Sequence, residues 1–242
     1  MRVAVLSDIH SNLAALDAVM GSLGTVDAIW HLGDIVGYGP EPDAVVERLR
    51  AAGAVGVRGN HDAGVCGTFP IEWFNPEGRA AIEWTRGRMT AETRDYLAAL
   101  PLSLEPPGSA FTLVHGSPRD PLVEYLFSAA AAGECLAEIG MPYCLVGHTH
   151  QPVWFRRRGG ATTARPALAG TMLRLGQERL LLNPGSVGQP RDGNPLASYM
   201  ILDLTARTAT WHRVGYDIGA TQAAIMAAGL PRFLGQRLAL GA

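Results

Sequence analysis

Polar side chains recur at the ends of short apolar runs, and this recurrence limits the fold more than any other feature of the chain. Residues 2–6 are followed by Asp8 and His10, 28–32 by Asp34, and 54–57 by Asn60 and His61. Residues 111–114 lead to His115, and 143–146 lead to His148 and His150. In open α/β sheets, ligands bind beyond the carboxyl ends of the strands. A chain with this pattern must therefore bring several parallel strand ends to one place. Five of the seven histidines fall in the series. His31, inside the second run, and His212, in a late run far from any glycine cluster, read as structural or supporting residues. An Asp-x-His pair alone is common; the joint pattern carries the inference.

Between the first runs the apolar spacing is helical. Asn12 caps a stripe of Leu13, Leu16, Met20 and Leu23 closed by Gly24, and Pro42 opens a helix with Val45, Val46 and Leu49 that ends at Gly53. Strands joined through helices imply parallel neighbours in a layered α/β fold. Residues 63–101 break the rhythm with an aromatic, proline-punctuated stretch. A helix over residues 77–86 follows, then one capped by Thr90. We read this block as a helical cap inserted into a single 1–242 domain. A helix over 128–139 follows the fourth strand. After Gly147 the pattern becomes strand after strand, at 153–155, 172–175, 179–182, 199–204 and 208–213. Residues 218–240 are helical and broken at Pro231.

With 242 residues, 48% of them hydrophobic, the chain can bury a substantial core. A net charge of −2 provides no global attraction to nucleic acid or anionic membrane. No apolar stretch approaches the roughly 20 residues of a membrane span. The N-terminus enters a strand directly, without a signal-peptide pattern. Cys66, Cys135 and Cys144 are odd in number and lack CxxC spacing, as expected of packed thiols in a reducing compartment. A cytoplasmic location is the expectation.

The motifs Asp8-Ile9-His10, Gly33-Asp34-Ile35-Val36-Gly37, Gly59-Asn60-His61-Asp62, Val114-His115-Gly116 and Gly147-His148-Thr149-His150 resemble those of the calcineurin-like metallophosphoesterase superfamily, in its order. The segment Asn183-Pro184-Gly185-Ser186-Val187-Gly188 is similar to the small bacterial phosphodiesterase branch. The resemblance implies a four-layer αββα sandwich of two packed mixed sheets flanked by helices. It implies that Asp8, His10 and His150 bind one metal ion, that Asn60, His115 and His148 bind another, and that Asp34 bridges them. Two divalent cations, Mn, Fe, Ni, Co or Zn, suit imidazole and oxygen donors without thiolate. The implied chemistry is in-line attack of a metal-bridging hydroxide on a phosphate ester, with His61 as general acid.

Arg58 is a candidate phosphate clamp, since a guanidinium can bind two phosphate oxygens in a fork. Arg191 is a second candidate substrate contact. Gly59 is expected to give the backbone freedom to turn between its neighbours. The phosphoprotein phosphatases of this superfamily carry an aspartate at the place of Gly37, which orients the catalytic histidine, and an arginine at Tyr38. This chain lacks both, and Asp62 is a candidate substitute for the aspartate. Tyr38, Phe69, Trp73 and Phe74 are read as core packing of the cap ahead of a stacking wall for a base. Arg156-Arg157-Arg158, with Arg165 and Arg174, reads as a solvated turn region rather than a nucleic-acid grip.

The leading expectation is a phosphodiesterase or phosphatase acting on a small phosphorylated, nucleotide-type substrate, with room for a homo-oligomer. The alternatives are a nuclease of the same superfamily and a non-catalytic protein-binding scaffold. The scaffold reading predicts lost donors or a lost general acid, and neither is lost here.

Overall fold

The computed structural model describes all 242 residues. Two six-stranded mixed sheets stack face to face with helices on their outer faces. The first sheet contains β1 (Arg2–Leu6), β2 (Ala28–His31), β3 (Val55–Gly56), β9 (Met172–Arg174), β11 (Ala197–Asp203) and β12 (Thr208–Val214), in the order β3-β2-β1-β11-β12-β9. The second contains β4 (Ser103–Leu104), β5 (Phe111–Val114), β6 (Tyr143–Leu145), β7 (Val153–Arg158), β8 (Ala161–Pro166) and β10 (Arg179–Asn183), in the order β4-β5-β6-β10-β7-β8.

Alternation along the strands builds the layers. Val3 and Val5 of β1, Leu180 and Leu182 of β10, and Met200 and Leu202 of β11 face the inter-sheet core, which also encloses Trp211. The intervening Ala4, Leu6 and Ile201 face the helices on the first sheet. Leu181 and Cys144 face the helix on the second. Burying both faces explains why these strands read as near-continuous apolar runs.

The helices form where their caps and stripes dictate. In α1 (Leu13–Ser22), Asn12 Oδ1 accepts from the Ala15 N–H at 3.1 Å, and Leu16 and Val19 are buried. Pro42 opens α2 (Pro42–Ala51), burying Val45, Val46 and Leu49. In α6 (Ala129–Glu138), the Ser128 hydroxyl accepts from Ala131. The 63–101 block is helical throughout its regular parts: the rest of α3 (Asn60–Cys66), a 3-10 turn at Ile71–Trp73, α4 (Pro76–Arg86) and α5 (Ala91–Ala99). Its Val65, Ile82 and Leu97 share one buried cluster with Leu6, Leu16 and Val45, so it belongs to the helix layer of the first sheet. The chain closes with α7 (Ile218–Ala227) and α8 (Arg232–Gln236), broken at Pro231 as the sequence predicts. No helix is long and apolar enough to cross a membrane.

Two strands escaped the sequence reading. β8 is mostly exposed and has no apolar alternation, so only its pairing with β7 defines it. Its turn, Gly159-Gly160, has positive φ at both residues, which suits a tight hairpin. β4 is a two-residue edge strand on β5.

The parallel pairings position the site. β1, β2 and β3 run parallel in one sheet, and β5, β6 and β10 run parallel in the other. Their carboxyl ends supply the loops that carry all the polar motifs.

Candidate metal centre

Seven donors converge at these strand ends. One buried group comprises Asp8, His10, Asp34 and His150, and a second comprises Asp34, His115 and His148; the donor atoms in each lie within 4.8 Å of one another. Asp34 belongs to both. Its Oδ2 lies 3.6 Å from His10 Nε2 and 3.4 Å from His115 Nε2. Asn60 joins the second group, its Oδ1 standing 3.0 Å from His115 Nε2.

The backbone fixes which ring nitrogens face inward. Nδ1 of His10 meets the Val36 carbonyl at 3.2 Å, Nδ1 of His115 the Leu32 carbonyl at 2.8 Å, and Nδ1 of His150 the Gln189 carbonyl at 2.6 Å. A carbonyl only accepts, so each Nδ1 carries the hydrogen and each Nε2 lone pair points into the cluster. His148 instead turns Nδ1 toward His115 Nε2 at 3.0 Å. Tyr125 stacks on the His148 ring with centroids 3.8 Å apart.

This arrangement fits bound cations. The Nε2 atoms of His10 and His150 are 3.2 Å apart, both committed by their other nitrogen to presenting a lone pair. Two lone pairs at that distance repel, and a cation between them converts repulsion into coordination. The spacing suits two ligands of one ion with metal–nitrogen bonds of about 2.0–2.1 Å. Asp8 Oδ1 is buried without a hydrogen-bond donor and lies 3.3 Å from His150 Nε2. Burial raises the Asp8 carboxyl to about 7 and pushes Asp34 upward, the neighbouring Asp62 adding to the latter. Burial holds His10, His148 and His150 well below the ordinary imidazole range, in the neutral form that coordinates metal. The buried carboxylates thus need positive charge, which neutral imidazoles do not supply.

The loops that carry the donors are strained. Asp8, His10, Asp34, His148 and His150 all have φ between 51° and 64°, as do Ser11 and Tyr38; outside this region only Arg207 among the non-glycine residues does so. Left-handed backbone costs roughly 1–2 kcal/mol per residue. A brace offsets the strain. From the end of β10, Ser186 Oγ donates to the Asp8 carbonyl, and the Val187 and Gly188 amides donate to the Ser7 and Asp8 carbonyls. The Asn183 amide donates to the Gly147 carbonyl at 2.7 Å and to Thr149 Oγ1 at 3.0 Å.

Several expectations change. Gly59 has an ordinary extended φ of −92°, so left-handed freedom is not its reason. A Cβ there would lie 2.1 Å from Asp34 Oδ1; glycine is required by close approach. The Asp62 carboxylate accepts from the Gly59 and Val36 amides at 3.0 and 3.1 Å, which fixes the loop and leaves it no role in orienting His61. The His61 Nδ1 is buried with no partner, and Tyr38, Phe74 and His10 hold the ring by packing, with centroids 4.4, 4.8 and 4.9 Å away. A Cβ on Gly37 would stand 2.5 Å from that Nδ1. Here aromatic contacts replace an orienting carboxylate.

Arg58 does not reach the centre. Its guanidinium donates to the Ala98 carbonyl on α5, because the backbone after β3 turns the side chain toward the helix layer. Arg191 is the cation that faces the donors: its charge partly opposes the burial-driven rise of Asp8 and Asp34, it lies over the Tyr38 ring at 5.8 Å, and it is held by Gln189 Oε1 at 2.8 Å. Within the arginine run, Arg157 is tied to the Gly133 carbonyl and so braces α6. Sequence reasoning missed Tyr125, which sits in an irregular loop without periodicity, and Gln189, whose carbonyl meets His150 and whose side-chain oxygen holds Arg191.

A family model described as the calcineurin-like phosphoesterase superfamily domain matches residues 1–207. An uncharacterized protein of Methanocaldococcus jannaschii is 38% identical, over 99% of this chain and 98% of its own. A crystal structure of a metallophosphoesterase from Sphaerobacter thermophilus is 43% identical with a TM-score of 0.91, covering 100% of this chain and 99% of that one. A hypothetical protein from Pyrococcus horikoshii OT3 shares the fold at 21% identity and a TM-score of 0.83, over 100% and 98% of the two chains. The chain belongs to the calcineurin-like phosphoesterase superfamily, a group of divalent-metal-dependent hydrolases.

Proposed function

We propose that the protein is a dinuclear-metal phosphodiesterase or phosphatase acting on small nucleotide-type esters. The observation that carries this reading is the Asp34 carboxylate, buried and common to two donor groups. A shared carboxylate is what a two-ion phosphoester site needs, since it holds both charges at one phosphoryl group. Asp8, His10 and His150 would hold one ion with Asp34, and Asn60, His115 and His148 the other. Bound there, the ions would supply Lewis acidity toward the phosphoryl oxygens and would lower the pKa of water.

The chain's own residues supply the rest. Arg191 contributes a fixed positive charge beside the donors and is the guanidinium available to a phosphate oxygen. His61 has its Nδ1 sealed against Gly37, which leaves Nε2 as the ring atom able to hand a proton to a leaving oxygen in the cleft. The packing of Tyr38 and Phe74 around it fixes the ring plane for that transfer.

The reading is tested with metal-reconstituted protein against phosphomonoesters, cyclic and linear nucleotides, dinucleoside polyphosphates and single-stranded DNA. Turnover of small esters is expected. Absence of turnover with every metal would eliminate the enzyme reading, and cleavage of DNA alone would replace it with a nuclease. His61→Ala is expected to keep its metal content and lose about 10²- to 10⁴-fold in kcat. A variant with near-normal kcat on an activated diester would remove His61 from the mechanism.

A further inference from the structure

A cleft of about 310 Å³ opens from the metal centre, at the low end of the roughly 300–1,000 Å³ found for small-molecule sites. Its inner end is formed by Asn60, His61 and His148, which belong to the catalytic apparatus proposed above. Its outer end is formed by Phe69, Trp73 and Asn75 from the 63–101 block and by Tyr125 from the loop before α6. Phosphate chemistry at one end thus leads without interruption into an aromatic slot.

The outer aromatics are not there to fill a core. Trp73 is 74% exposed and Tyr125 is 46% exposed. Phe69 packs edge-on against Trp73 and Phe74, with centroids 6.0 and 5.8 Å away, which props the indole from behind. Tyr125 is sandwiched between His148 at 3.8 Å and Phe127 at 5.4 Å, both stacked on it. The sequence expectation of core packing therefore holds for Phe74 and fails for Trp73. The propped, solvent-facing indole of Trp73 is a platform for a planar π-system, and the rim of Tyr125 borders the same cleft.

Asn75 adds a polar edge. Its side-chain oxygen is occupied by the Gly78 amide at 2.7 Å, as the cap of α4, so its two amide hydrogens remain free to donate. A donor beside aromatic walls suits a ring that bears acceptor nitrogens or carbonyls at its edge. An aliphatic chain would leave the Asn75 amide hydrogens unpaired, and a bilayer surface would not need a recess that ends at His61.

Building on the phosphoesterase reading, we propose that this slot is a nucleobase subsite. Trp73 supplies the stacking face, Asn75 contacts the base edge, Tyr125 borders the slot with its rim, and the phosphate lies at Asn60, His61 and His148. The 63–101 block thereby sets substrate class, while the strand ends carry the chemistry.

The test uses the metal-reconstituted protein and two probes that share sugar and phosphate, AMP and ribose 5-phosphate. Each is measured as an inhibitor of bis(p-nitrophenyl) phosphate hydrolysis at initial rate and as a quencher of tryptophan fluorescence. AMP is expected to bind about tenfold or more tightly than ribose 5-phosphate and to quench, as stacking on an aromatic side chain implies. In Trp73→Ala the preference falls toward one, and Trp73→Phe restores most of it without the quench. Melting temperatures of the variants identify any that fail to fold. Hydrolysis of the diester with equal inhibition by both probes overturns the subsite and leaves the phosphoesterase reading standing. So does an AMP preference that survives Trp73→Ala. No hydrolysis and no binding of either probe overturns the two together.

Discussion

His115 and His31 are both fully buried, and their surroundings are opposites. His115 stands just past the end of β5, with Nδ1–H donated to the Leu32 carbonyl and Nε2 aimed at Asn60, His148 and Asp34. His31 is still inside the sheet, in register with Leu6 and Gly56, and neither of its ring nitrogens makes a well-formed hydrogen bond; only the Val57 backbone partly offsets its burial. Strand ends in this protein present polar groups to one another at close range on strained backbone. Strand interiors enclose side chains in relaxed, apolar surroundings. The same residue type is a donor in one setting and packing in the other, and its position relative to the strand end decides which.

The largest expected effect comes from removing the shared donor. Asp34→Ala should lower kcat by on the order of 10³-fold and reduce metal content at both groups, whereas Asp8→Ala should spare the group centred on His115. Elemental analysis of the two variants checks this. Equal losses from both would deny Asp34 its shared role.

Gly59→Ala tests whether crowding sets the strand-end geometry. A Cβ 2.1 Å from Asp34 Oδ1 must displace that carboxylate. The variant should lose about 1–3 kcal/mol of stability and bind metal weakly. Gly53→Ala is a control for the other kind of glycine, with φ of 64° and nothing within 4 Å of the added atom. It should cost about 1–2 kcal/mol by backbone strain and leave metal binding unchanged. Urea titration with metal analysis of both separates crowding from strain.

The convergence of the donors was legible because it follows from two simple rules: parallel strands align their carboxyl ends, and the end of each short apolar run marks where a strand stops. The four-layer architecture was legible for the same reason, since β1, β10 and β11 are apolar on both faces. What was hidden depends on backbone and on irregular loops. The Leu32, Val36 and Gln189 carbonyls that set the imidazole tautomers have no residue signature. Arg58 misled because a polar neighbour in sequence turns away in space, and its guanidinium meets α5 instead. Trp73 misled because an aromatic in a proline-rich stretch reads as packing, and its exposure depends on where the α3 to α4 connection crosses the cleft.

Bracing of the strand ends predicts a smaller effect. Asn183 hydrogen-bonds to none of the donor side chains, yet it holds both neighbours of His148, through the Gly147 carbonyl and the Thr149 hydroxyl. Asn183→Ala should weaken metal affinity about 10-fold or more while Asn183→Asp, which lacks the donating amide, behaves alike. Competition with a fluorescent chelator reads the affinity. An unchanged value would assign the strain-holding role to Ser186 and the main chain alone.

The smallest effect, and the cleanest probe of a strand interior, comes from His31. Burial lowers its pKa from 6.5 to about 4, so the folded protein keeps the ring neutral while the unfolded chain takes up a proton as pH falls below 6.5. Between those values the unfolded state binds more protons. Stability contributed by the neutral ring is therefore complete above pH 6.5 and is lost as pH falls toward 4, at a slope of up to about 1.4 kcal/mol per pH unit. His31→Leu replaces an unsatisfied polar ring with an apolar side chain of similar size, a change that is close to neutral at pH 7. Urea unfolding at pH 7, 6 and 5 should show the two proteins diverging as the solution is acidified, the variant becoming the more stable, with metal content at pH 7 unchanged. Parallel curves would mean that His31 is solvated or paired in a way its buried setting does not provide. Loss of metal would mean that the line between strand interior and strand end lies one turn of the chain earlier than Asp34.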